Sequence, residues 1–64
     1  MKYRLSTFFV GGKRLHELKF SSLDDNTART AFQERCKQAE SSWDTVQLTR
    51  DDARHTFVDQ KKFN

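Results

Sequence analysis

Few side chains in this 64-residue chain could do chemistry: two histidines, His16 and His55, one cysteine, Cys36, and aspartates that include the adjacent pairs Asp24-Asp25 and Asp51-Asp52. Such groups can hold a metal ion or pair a nucleophile with a base, but no ligand spacing or nucleophile pattern links them here. Cys36 lies between Phe32 and Ala39 on an apolar stripe, where a free cysteine acts as a small buried hydrophobe. Helix-start and turn chemistry account for the paired aspartates. Gly11-Gly12-Lys13-Arg14 has the look of a phosphate-cradling loop without the further glycines and the helix such a loop needs. A turn requiring positive φ explains both glycines. Trp43, just past the apolar stripe, reads as a packing anchor. The sequence therefore predicts no catalytic residue, no metal site, no cofactor and no enzyme.

Composition sets the frame in which these residues must be placed. A chain this short makes one small domain, residues 1–64, near the lower size limit for a core without staples, and a third of it is charged. Stability that is modest, or else supplemented by self-association, is the expectation. One cysteine excludes an internal disulfide, and no run is long and apolar enough for a membrane span or a signal-peptide core, which points to a soluble, cytoplasmic protein. The net charge of +3 is uneven: residues 1–20 carry Lys2, Arg4, Lys13, Arg14 and Lys19 against Glu17 alone.

That basic segment is also the best-defined element. Two runs of alternating apolar and polar residues, within Tyr3 to Phe20, meet at Gly11-Gly12 and predict a β-hairpin. A two-residue loop pairs Val10 with Lys13, Phe8 with Leu15, Leu5 with Leu18 and Tyr3 with Phe20. One face then carries Tyr3, Leu5, Thr7 and Phe9 opposite Phe20, Leu18, His16 and Arg14, a natural core face. The other carries Arg4, Ser6, Phe8 and Val10 opposite Lys19, Glu17, Leu15 and Lys13.

Downstream, Ser22 with Asp25 resembles a capping box, and Ala28, Ala31, Phe32, Cys36 and Ala39 recur at helical spacing, which predicts a helix over 22–40 with an Asp25 to Arg29 pair on its surface. Trp43 to Arg50 alternates as a third strand with Val46 and Leu48 on one face. Asp51-Asp52-Ala53 predicts a turn, followed by a fourth strand from His55 to Gln60. A three-residue turn sets Val58 against Val46 and a four-residue turn sets Phe57 against Leu48, the latter being favoured. Residues 61–64 show no alternation and are expected to fray. The resulting class is α+β: a small ββαββ domain, its sheet antiparallel or mixed, with one helix on one face.

One helix covers one side of a sheet, so the opposite side must meet water or a partner. The residues expected there, Arg4, Phe8, Val10, Lys13, Arg14, Leu15 and Lys19, combine an apolar centre with a cationic rim and form the candidate binding surface. A protein is the first candidate partner, a second copy of the chain included. A nucleic acid on the same basic hairpin is the alternative, and Glu17 on that face speaks against it. In layout, size and lack of catalytic signature the chain resembles the small accessory proteins of phages and mobile elements, some of which inhibit or regulate host machinery by occupying a surface. That architectural resemblance implies an inhibitor or regulator acting in the host cytoplasm.

Overall fold

The computed structural model describes residues 1–12 and 15–63, so the Val10–Lys13 pair, Arg14 and Asn64 lie outside the described residues. Strands β1 (Lys2–Phe9) and β2 (Leu15–Ser21), helix α1 (Asp25–Lys37), and strands β3 (Trp43–Arg50) and β4 (Phe57–Lys62) follow in the predicted order. Every strand pairing is antiparallel and the sheet order is β2-β1-β3-β4, an α+β fold with one open sheet and one helix. No helix among the described residues is long and apolar enough to cross a membrane.

The first hairpin has the expected register, with Tyr3 opposite Phe20, Leu5 opposite Leu18 and Phe8 opposite Leu15. Gly11 and Gly12 both adopt positive φ, at 88° and 66°, a conformation that side-chain-bearing residues rarely reach. Strand β3 also falls on its predicted limits and fully buries Val46 and Leu48 against Tyr3, Leu5, Ala28 and Phe32.

The helix is shorter than predicted at both ends. Ser22 stays with the hairpin, its N–H donating to the Met1 carbonyl at 2.9 Å, and its hydroxyl donates to the Asp24 carbonyl at 3.4 Å instead of accepting from the helix. Asp24 caps instead, accepting from the Thr27 N–H at 2.8 Å. At the other end the N–H groups of Gln38 and Ala39 reach back only three residues, to Arg35 and Cys36, which tightens and stops the helix. Ala39 is thereby exposed and outside the stripe on which the sequence placed it. Nor does Asp25 pair with Arg29, which instead contacts Asn26 and Asp59.

Asp25 has a larger role, because its carboxylate fastens the first turn of α1 to the two central strands. Arg50 of β3 donates to both carboxylate oxygens, at 3.1 and 2.7 Å, and the Tyr3 hydroxyl of β1 donates to one of them at 2.7 Å. Tyr3 and Arg50 are cross-strand partners, so one register fixes both donors. These bonds, Arg50 first and Tyr3 second, hold the Asp25 carboxyl below its ordinary range, while burial and the same carboxylate push the Tyr3 phenol up. At the far end the Arg35 guanidinium lies 4.6 Å from the centre of the Trp43 ring, and its Nε donates to the buried Thr7 hydroxyl at 3.4 Å. Phe9 and Phe63 close edge-on against Trp43.

The second strand pair departs most from expectation. Strand β4 begins at Phe57, not His55, and sets Asp59 against Leu48 and Lys61 against Val46, so neither predicted register forms. The turn is longer because Asp52 organises it: its carboxylate accepts from the N–H groups of Arg54 and Thr56 and from the Thr56 hydroxyl. Burial works against that carboxylate, but the Thr56 and Arg54 donors outweigh it and lower its pKa. His55 takes a φ of 49°, and the Arg50 N–H closes the turn on the Thr56 carbonyl at 2.8 Å. A bulge opposite Thr49 then turns Val58 towards the core and leaves Phe57 exposed. The expected frayed tail is instead ordered through Phe63. Lys61 and Lys62 belong to β4, and the Phe63 N–H donates to the Asp44 carbonyl at 2.7 Å.

Two stability experiments follow from this packing. Phe32→Ala removes the large side chain that α1 buries and should cost about 3–5 kcal/mol in urea unfolding. Asp25→Asn should lower the melting temperature by several degrees at neutral pH. Because the folded-state pKa of Asp25 is depressed, its stabilisation is present above the unfolded carboxylate value of about 3.9 and fades as pH falls through the lower folded value. Parent and variant should therefore converge in a melting series taken down to strongly acidic pH.

Candidate interaction surface

The sheet face turned away from α1 is built in rungs by the register of the four strands. Nearest the hairpin tip, Leu15, Phe8, Thr45 and Lys62 lie side by side, then Glu17, Ser6, Gln47 and Gln60, then Lys19, Arg4, Thr49 and Phe57. Alternation dictates this arrangement, since the same strands send Tyr3, Leu5, Val46 and Leu48 to the opposite side. No element of the described residues crosses the outer face. Phe8 and Leu15, directly paired, are 38% and 52% exposed, and Val10, two residues beyond Phe8, is 56% exposed.

The cations of this face are placed differently from the rim that the sequence suggested. Arg4 lies four residues from Phe8, roughly 13 Å along the strand, and is half-buried. Its Nη2 donates to Asp51 at 2.9 Å and its Nη1 lies 3.9 Å from Glu17, while Lys19 Nζ lies 3.9 Å from the other Asp51 oxygen. Two cations and two carboxylates thus form one alternating network across β2, β1 and the end of β3. The remaining candidates, Lys13 and Arg14, lie outside the described residues. Asp51 is the member that sequence reasoning missed. Its place in the sequence marks only a turn, and its approach to Arg4 depends on the pairing of β1 with β3, to which its N–H contributes a bond to the Lys2 carbonyl.

A second apolar surface lies on the helix side. Because α1 packs on β3 and β4, it leaves β2 uncovered, and Leu18, which the sequence assigned to a core face, is 48% exposed. An open groove of about 360 Å³ runs between Leu5, Leu18 and Phe20 of the sheet and Ala31, Arg35 and Gln38 of the helix segment. His16 stands at its end, opposite Thr7 and exposed, with its Nδ1 3.3 Å from Arg35 Nη2. A smaller hollow of about 290 Å³ lies among Lys2, Lys19, Phe20 and Asp51. Neither places a nucleophile beside a base, and among the described residues no three His, Cys, Asp or Glu side chains gather as a metal donor set.

Cys36 sits on the inner stripe of α1, partly buried against the core, and burial pushes its thiol pKa up. Comparison of the chain with protein-family models, with curated proteins and with solved structures gives no match. Two outcomes are expected at Cys36. Thiol-reactive reagents at mildly alkaline pH should modify it more slowly in the folded protein than in urea, because less thiolate is present. Cys36→Ala should stay closer to the parent melting temperature than Cys36→Ser, which buries a hydroxyl.

Proposed function

We propose that the chain is a non-enzymatic interaction module, an inhibitor or regulator that works by occupying a partner protein's surface with the outer face of its β1–β2 hairpin. The observation that supports this reading is the exposed cross-strand pair Phe8 and Leu15 on a face that no element of the described residues covers. An aromatic and an aliphatic side chain side by side, with the exposed Val10 just past the end of β1, offer an apolar centre of the kind that carries most of the energy of a protein interface. The open grooves of the molecule favour a docking role over catalysis, which needs a site that encloses its substrate.

Protein is favoured over nucleic acid because the described cations of this face already have acidic neighbours. Arg4 is shared by Asp51 and Glu17, and Lys19 leans on Asp51, so a phosphate approaching them must displace a carboxylate. Glu17, in the rung beside Leu15 and Phe8, would repel a nucleic-acid backbone lying across the centre of the face.

Phe8→Ser tests the reading. The melting temperature should stay near that of the parent, because the side chain is exposed, while affinity for a protein captured from the source cells should fall by about thirtyfold or more, a loss on the order of 2 kcal/mol. Titration with single- and double-stranded nucleic acid over a range of salt provides the contrast: tight binding that weakens steeply with log salt would replace the protein reading by the nucleic-acid one.

A further inference from the structure

The two edges of the sheet are not equivalent. Strand β4 carries the protections expected of an exposed edge: a bulge opposite Thr49, and the charged residues Asp59, Lys61 and Lys62 within its six residues. Strand β2 has none of the structural ones. Its pairing with β1 runs from Ser21 to Leu15 without a register shift, it contains no proline, and it exposes Leu15 on one face and Leu18 on the other.

The backbone groups that β2 offers can be assigned from its inner ladder. Met1 and Ser22 exchange both of their backbone hydrogen bonds, each 2.9 Å. Hydrogen-bonded and non-hydrogen-bonded pairs alternate along an antiparallel ladder. Phe20, Leu18 and His16 therefore direct their N–H and C=O groups at β1, and Ser21, Lys19, Glu17 and Leu15 direct theirs outward. Only odd-numbered residues can bond a strand that joins this edge.

We infer that this edge pairs with the β2 edge of a second copy, antiparallel about a two-fold axis at Leu18, giving one continuous eight-stranded sheet. Odd must meet odd, which leaves a short series of registers. Centring on Leu18 uses the whole strand, Leu15–Ser21, and sets Glu17 opposite Lys19 of the other copy, twice. Moving the axis one residue sets Glu17 against Glu17 or Lys19 against Lys19, and moving it further shortens the ladder. The favoured register is thus the one with charge complementarity. Within one chain the contacts of Glu17 with Arg4 and of Lys19 with Asp51 are both long, 3.9 Å, and leave those side chains 40% and 63% exposed, free to engage a cross-strand partner. On the helix side the two Leu18 side chains meet at a non-hydrogen-bonded position, where side chains approach closest, beside the groove floored by Leu5 and Phe20. Each helix packs chiefly over β3 and β4, with Arg35 reaching His16 at the start of β2, and leaves Leu18 half exposed for this approach. The outer face with Phe8 stays open, so the inference does not rest on the docking proposed for that face.

Sedimentation equilibrium is the test, carried from micromolar to millimolar protein. The parent should rise from 7.6 kDa towards twice that mass. Glu17→Lys and Lys19→Glu each place like charges opposite one another twice and should each weaken association by at least about tenfold. An equimolar mixture of the two variants restores opposite charges at every rung and should recover the dimer. Leu18→Asp, at an exposed position, should also give a monomer, and thermal melts of every variant confirm folding. A parent that stays at 7.6 kDa in the millimolar range overturns the inference. So does a dimer indifferent to the charge substitutions but lost in Phe8→Ser, which would place self-association on the outer face instead.

Discussion

A single helix about 10 Å across must cover an apolar sheet face four strands wide, with strands about 4.8 Å apart. It cannot reach both edges, so where it sits decides what is core and what is surface. Asp25 sets that position at the start of α1 by binding Arg50 and Tyr3, and Arg35 sets it near the end by lying over Trp43 and bonding Thr7. Both fastenings reach β1 and β3, the inner strands of the order β2-β1-β3-β4. Strand β2 is consequently left without a cover, and the half-exposed Leu18 is the visible result.

Charge is distributed by the same logic. The hairpin is strongly basic in sequence, yet Arg4 and Lys19 are neighbours of Glu17 and Asp51 in space, and Arg29 meets Asp59 across the helix–sheet boundary. Such partly exposed pairs add little to stability but settle which charges remain free for a partner. The surface of this protein is therefore more evenly charged than its sequence, and among its exposed apolar residues are Phe8, Leu15 and Phe57 on one face of the sheet and Leu18 on the other, features that water does not favour.

The chain by itself determined those elements whose signals are local. Alternation fixed β1, β2 and β3 and sent Tyr3, Leu5, Val46 and Leu48 inward, because a strand has a side-chain period of two. Gly11-Gly12 marked the first turn through its need for positive φ, and the four-residue spacing of Ala28, Phe32 and Cys36 marked the helix. Tertiary structure decided what depends on distant partners. Ser22 extends the hairpin by pairing with Met1 and Asp24 caps the helix in its place, and β4 is displaced because the Asp52 carboxylate organises a longer turn. Lys61, Lys62 and Phe63 are ordered because Val46, Thr45 and Trp43 lie beside them. Asp25 and Asp51 gained their partners only when β1 paired with β3, a contact between residues more than forty positions apart that no local pattern encodes.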